Sequence, residues 1–263
     1  MISLVNPPAL EVRGLQFWRK KNSPILEDIF LRIEKAKVLA ILGANGSGKT
    51  TLLSLLGGRI LPSAGEILVQ GEALASLSPR TLAKKIAFLP QIERLPFNYK
   101  VLDFVLLGRA PHVSAFSLPG LEDRARAVQA LEALGLEDLA ERGSGDISGG
   151  EFQMARIARC LSQEAGILLL DEPTSLLDPA NAGRIGRMLS ILASGGKTIV
   201  CATHDVALAG AIADEVVLLH ERRILASGIA GEILRAELLG KTFGAEFKDA
   251  RIPSVYGSSA TIG

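Results

Sequence analysis

Cysteine is nearly absent from this 263-residue chain: there are two, Cys160 and Cys201, far apart and outside any metal-binding or redox spacing. That excludes a disulfide framework, and both thiols read as small core residues of a protein kept in a reducing compartment. An excess of charge of one sign is missing too. Lysine and arginine number 29 against 28 aspartates and glutamates, a formal net charge of +1. The chain therefore has no basic footprint for nucleic acid, and no nucleic-acid partner is expected. The basic run Arg19-Lys20-Lys21 is short and reads as a solvated turn between strands. No apolar run approaches the roughly 18 residues that a membrane-crossing helix needs. Residues 1–10 lack a basic segment followed by an apolar stretch, so no secretory signal is expected. No internal repeat is found.

What is present is a globular balance: 48% of residues are apolar and 22% are charged. The length suits one large domain or two small ones, with enough chain to bury a sizeable core. A mean hydropathy of +0.30 is high for a chain without membrane segments. It implies either a core rich in leucine and alanine or an apolar docking surface.

Alternating apolar residues predict strands at 9–18 and 24–33. Residues 37–44 form a short apolar run ending at glycine, the pattern of a buried strand, and 49–60 then read as a helix. A further strand is expected at 65–71, and 79–91 give a short helix and a strand that ends at Pro90-Gln91. From about 92 to 164 the pattern turns helical, at 101–110, at 121–136 with Val128, Leu131 and Leu134 on one stripe, and from Gly150 to Gln163. Residues 167–172, 197–203 and 214–220 are again short apolar runs, typical of strands buried on both faces. An α/β core (1–91 and 165–245) is thus interrupted by a helical insert (92–164) and followed by a tail (246–263). The polar, glycine-rich end at 254–263 is expected to fray.

Residues 43–50 read GANGSGKT and fit G-x-x-x-x-G-K-[ST] between a predicted strand and a predicted helix, the context that separates a phosphate cradle from an ordinary glycine turn. Backbone N–H groups from Gly43 through Gly48, including Ala44, Asn45, Gly46 and Ser47, can point inward around phosphate oxygens. The helix start at Lys49, Thr50 and Thr51 adds about half a positive charge. Lys49 can reach the β- and γ-phosphates, and the Thr50 hydroxyl can ligate Mg²⁺. In ILLLDE, Asp171 falls at the carboxyl end of an apolar strand, where an open α/β sheet binds its ligand. It is a candidate Mg²⁺ ligand through water, with a helix cap as its alternative role. Glu172 can aim at a water in line with the γ-phosphate. Two adjacent carboxylates at a buried strand end are unfavourable unless a cation or substrate needs them. ISGGEFQMAR, at 147–156, poses a question: a serine before two glycines at a helix start is an N-cap or a second anion site, in a chain that already has one.

With Gln91 in FLPQ, SLLD ending at Asp178 and His204 in CATHD, these motifs follow the order P-loop, Q-loop, signature, Walker B, D-loop and H-switch. On them the chain resembles the ATP-binding subunit of an ABC transporter over nearly its whole length. The signature departs from the family's LSGGQ at Ile147 and Glu151 and keeps Ser148-Gly149-Gly150. The resemblance implies an α/β P-loop NTPase core with a mainly parallel sheet, an N-terminal antiparallel β subdomain and an inserted helical subdomain. It implies ATP and Mg²⁺ as cofactors and a second copy packed head to tail. In that arrangement Ser148, Gly149, Gly150 and Glu151 close over the partner's nucleotide, and Asp178 supports the partner's P-loop. That resolves the apparent duplication of anion sites. The resemblance further implies that Glu172 polarises the attacking water and that His204 contacts the γ-phosphate and holds Glu172 in line. Gln91 approaches Mg²⁺ and the water while sensing the membrane partner. The family's adenine-stacking aromatic is not at its usual position: by strand phase Leu15 and Phe17 point one way and Arg19 takes its place, while a register shift would offer Trp18. Trp18 and, after it, Phe17 are the candidates.

The family context implies two separate permease subunits docked near Gln91 and the helical insert. It also implies an indirect contact with a substrate-binding protein, and a peripheral location on the cytoplasmic face of the inner membrane. The stretch from Asn98 to His112 resembles the corresponding segment of importers of metal chelates (siderophore iron, haem, cobalamin) and of molybdate or tungstate. His112 and His220 match no motif and read as structural. The rival is a non-transport ABC ATPase working as a nucleotide-driven mechanical switch. It would call for long coiled coils between P-loop and signature, but this gap is short and lacks sustained heptads, or for two such domains in one chain. A simple P-loop kinase would leave Ser148-Gly149-Gly150 and His204 unexplained.

Overall fold

Five consecutive apolar residues with no polar phase, Val38–Leu42, can bury both faces only inside a sheet, and all five are buried. The computed structural model describes residues 6–20, 23–93, 95–114, 116–175, 177–247, 250–252 and 260–262. In chain order, β1 (Leu10–Lys20), β2 (Ser23–Ile33), β3 (Val38–Leu42), α1 (Lys49–Leu56), β4 (Ala64–Val69), β5 (Glu72–Ala73), α2 (Pro79–Lys85) and β6 (Ile86–Leu89) come first. Then follow α3 (Val101–Leu106), α4 (Leu121–Glu132) and α5 (Gly149–Ser162). The chain returns through β7 (Ile167–Asp171), α6 (Pro179–Ser194), β8 (Thr198–Thr203), α7 (Val206–Ile212), β9 (Glu215–His220) and β10 (Arg223–Ile229). It continues with α8 (Ala230–Ile233), α9 (Ala236–Phe243), β11 (Ala250–Ile252) and β12 (Ala260–Ile262).

The amino-terminal sheet is antiparallel with order β2-β1-β4-β5, and the second sheet has order β10-β9-β3-β8-β7-β6. Strands β9, β3, β8, β7 and β6 run parallel, and β10 returns antiparallel on β9. This order positions the site. With β8 between β3 and β7, Leu42 pairs with Thr203 and Asp171 with Ala202, so three carboxyl ends meet on one edge. The core lies on both faces of that sheet. One side joins α1 and the amino-terminal sheet; the other joins α3 to α6. There Phe104 is fully buried, packed on Phe152 at a centroid distance of 5.5 Å and covered by the Arg159 guanidinium at 4.7 Å. Both cysteines are free and buried. Burial pushes the Cys160 thiol up to about 11 and the Cys201 thiol upward as well, so neither is reactive.

Some expectations change in detail. The pattern at 121–136 is a helix only to Glu132, because Gly135 turns at φ +59° while Leu134 and Leu136 still plug the core. Strand β10, whose burial pattern alternates between half-buried and exposed, was not foreseen. Of the stretch 254–263, which is expected to fray, residues 260–262 pair antiparallel with 250–252 as β12 and β11, and residues 253–259 and 263 lie outside the described residues. Among the described residues no helix is long and apolar enough to cross a membrane.

Candidate active site

The cradle follows from backbone geometry. Gly48 precedes α1 at φ +107°, a conformation that favours glycine, and a Cβ there would lie 2.8 Å from Leu26 Cδ2. At Gly43 a Cβ would sit 2.5 Å from the Leu219 carbonyl oxygen. No side chain caps α1, so its first-turn N–H groups are not taken by a side-chain acceptor. Lys49 is 7% exposed, and its Nζ donates to the Gly43 carbonyl at 2.6 Å and the Ala44 carbonyl at 3.2 Å. Burial pushes its ammonium below the usual lysine range, opposed by the nearby Glu172 and Asp171 carboxylates. The buried Ser47 hydroxyl has no protein partner.

The carboxylates stand opposite. Asp171 is buried, and among the described residues neither of its oxygens has a hydrogen-bond partner. Burial pushes its carboxyl above the ordinary range. The Thr50 hydroxyl is near enough to offset part of that push without meeting hydrogen-bond geometry, and Lys49 offsets a little more. Glu172 adopts φ +52°, and its N–H donates to the Ala202 carbonyl at 2.8 Å. Its own carbonyl accepts from the Ser175 N–H at 3.1 Å and the Ser175 hydroxyl at 2.8 Å. These bonds turn the side chain off the end of β7. Glu172 Oε2 lies 2.9 Å from His204 Nδ1, and the Thr203 hydroxyl donates to the same oxygen at 3.4 Å. The Glu172 side chain is 6% exposed and that of His204 63%, so the imidazole stands open to an incoming group while the carboxylate is shielded.

A cleft of about 350 Å³ joins these parts. Asn45, Gly46, Gly48, Lys49, Thr50 and Thr51 line it, with Gln91 and Glu172 across from them. The other residues singled out in the sequence lie outside its wall. Ser148 caps α5: its hydroxyl accepts the Glu151 N–H at 3.2 Å, and Glu151 Oε2 accepts the Ser148 N–H at 2.7 Å. That bond to the Ser148 backbone holds the Glu151 carboxyl below the usual range. Ser148 and Gly149 are exposed, and a Cβ on Gly150 would rest 3.5 Å from Leu177. Asp178 caps α6, accepting the Ala180 and Asn181 N–H groups at 2.9 and 3.0 Å, and the Asn181 contacts hold its carboxyl low.

The aromatics do not line the cleft either. Strand β1 is irregular on both sides of Phe17 and Trp18, so simple alternation fails there. Phe17 packs on the core, while the backbone N–H of half-buried Trp18 donates to the Ser63 hydroxyl at 3.2 Å. Ile25, opposite on β2, reaches the cleft from among that hairpin's described residues, and Thr203 is a second participant that the sequence did not suggest. Ile25 looked like one more alternating strand residue; Thr203 could have been found from its place beside His204. His112 lies outside the cleft, with Nε2 2.9 Å from the Gln163 carbonyl oxygen.

A cleft of glycine N–H groups and a buried lysine at the carboxyl edge of a parallel sheet is suited to a polyphosphate. It defines a class, the P-loop nucleotide-hydrolysing proteins. A family model described as ABC transporter matches residues 26–175, more than half the chain. The chain belongs to that family and is an ABC transporter ATPase subunit, which binds ATP. It is 37% identical over 243 residues to the hemin import ATP-binding protein of Myxococcus xanthus, with 90% of each chain covered. It is 38% identical over 236 residues to the molybdate import ATP-binding protein of Haemophilus influenzae, covering 89% of this chain and 88% of that one. Among solved structures it resembles a chain of an ABC transporter assigned to the metal-chelate type and solved facing inward: TM-score 0.82, 35% identity, 97% of this chain and 96% of that one.

Proposed function

We propose that this subunit powers import of a metal chelate or an oxyanion (siderophore iron, haem, cobalamin or molybdate) through two separate permease subunits, working as a head-to-tail dimer on the cytoplasmic face of the inner membrane. The relatives' import of hemin and molybdate, at similar identity and nearly full coverage, supports the substrate class. One observation carries the mechanism. P-loop residues and Glu172, with His204 2.9 Å from its carboxylate, meet at one cleft, while Ser148, Gly149 and Gly150 lie outside its wall at the capped start of α5, the first two exposed and Gly150 half-buried. That is half of a composite site, and a second copy supplies the other half.

In this reading the N–H groups of the cradle and Lys49 hold the β- and γ-phosphates, with Lys49 leaving its two carbonyl acceptors. Trp18, or failing it Phe17, stacks on adenine. The two unpartnered Asp171 oxygens, the Thr50 hydroxyl and Gln91 form an oxygen donor set of the kind Mg²⁺ takes. When bound there, the ion neutralises charge on the phosphate oxygens. Glu172 orients the attacking water, His204 fixes Glu172 and meets the γ-phosphate, and Gln91 faces the same water. Ser148, Gly149, Gly150 and Glu151 of the second copy close the far side and exclude water, and Asp178 steadies the opposite P-loop. The gain is positioning and electrostatics.

Light scattering on Glu172→Gln tests this. With Mg-ATP the mass should double from 27.8 kDa, and turnover should fall by about 10²–10⁴ with ATP binding retained. Wild-type turnover in that variant would sink the assigned role of Glu172.

A further inference from the structure

A charge cluster centred on the buried Arg156, with half-buried Glu93 and Arg159, takes no part in the roles above. Glu93, two residues beyond Gln91, receives Arg156 Nε at 3.2 Å and both Arg159 terminal nitrogens, at 2.5 and 2.9 Å. The Arg156 side chain is only 6% exposed. Its remaining donors go to the Pro90 carbonyl and the Gln153 amide oxygen. Gln153, in turn, donates to the Pro173 carbonyl at 2.9 Å. Pro90 immediately precedes Gln91, and Pro173 immediately follows Glu172. Arg156 and Gln153 both belong to α5, the helix that begins with Gly149-Gly150.

Packing alone does not require a guanidinium here. A buried cation is unfavourable unless its donors are matched, and an apolar side chain would fill the same space. This one matches its donors to three acceptors: Glu93 and the Pro90 carbonyl, on either side of Gln91, and Gln153 on its own helix, which in turn reaches the Pro173 carbonyl. The planar five-donor fork of arginine can do so; a lysine ammonium cannot.

We infer that Arg156 is a positioning residue for hydrolysis: it clamps the backbone beside Gln91 to α5 and, through Gln153, to the backbone beside Glu172. Movement of α5 as the dimer closes is thereby delivered to both at once. The inference rests on the roles proposed for Gln91 and Glu172.

The test is steady-state ATP hydrolysis by the full chain carrying Arg156→Lys, which keeps charge and most of the volume. The expected result is a drop in kcat of about tenfold with KM for ATP changed less than about twofold. In a Gln91→Ala background the same change should cost less than about twofold more, because both act through one element. Gln153→Met, which cuts the link to Pro173 and spares the Glu93 ion pairs, should repeat the pattern and serves if Arg156→Lys does not fold. Unchanged kcat, a loss carried by KM, or a full tenfold loss added to Gln91→Ala would each overturn the inference. If Gln91→Ala itself leaves kcat intact, the parent reading of Gln91 fails first, and the inference falls with it.

Discussion

Asp171 and Glu172 are neighbours in sequence, yet their environments differ sharply. Glu172 meets His204 and Thr203, whereas among the described residues Asp171 has no hydrogen-bond partner for either oxygen. A buried carboxylate without a hydrogen-bond partner is destabilising, and burial raises its folded-state pKa above 3.8. The native chain therefore holds that proton more tightly than the unfolded chain. This group's contribution worsens as pH rises from 3.8 through the raised folded value, and is relieved as pH falls through it. Asp171→Asn in nucleotide-free protein with chelator should gain about 1–3 kcal/mol at neutral pH, a Tm rise of several degrees. It should also lose that part of the pH slope. Differential scanning across pH reads both, and a lower Tm would refute the strained-carboxylate account. The adjacency of the two acids was legible in the sequence; which of them lacks a partner was not, because Ala202, Thr203 and His204 arrive from a different strand.

At the scale of the element, α5 begins with a capping box and carries the proposed anion-facing residues on that same turn. Folding and function can be separated there. Aspartate caps as well as serine, so Ser148→Asp should keep stability within about 0.5 kcal/mol. Its negative charge would meet the partner's γ-phosphate, so ATP-driven dimerisation and turnover should be lost, as denaturant melts and light scattering would show. Retained dimerisation would mean that Ser148 is only a cap. The helix start was readable from Ser148 and the glycines. The irregular end of β1 was not: alternation assumes a regular pleat, and the shifts between Phe17 and Trp18 arise from pairing with β2.

Across the whole molecule, the high mean hydropathy has two sources. Most apolar residues fill the core, but Phe97, Phe116, Leu118 and Leu121 of the helical insert stay 70–102% exposed. Such a surface suits a permease loop. Replacing Phe116 and Leu118 together by serine should leave ATP hydrolysis by the isolated subunit unchanged. It should weaken co-purification with an integral membrane protein by at least about tenfold, each buried side chain being worth roughly 1.5–3 kcal/mol. Undiminished co-purification would move the docking site elsewhere. By itself the sequence determined the α/β class, the cradle, the acid pair and the order of motifs, because glycine placement, apolar run length and helix starts are local. Only the tertiary structure decided that Thr203 joins His204 on Glu172, that Ile25 reaches the cleft, and that Arg156 joins the segments flanking Gln91 and Glu172. Those are contacts between strands and helices distant in the chain, and strand order rather than local pattern brings them together.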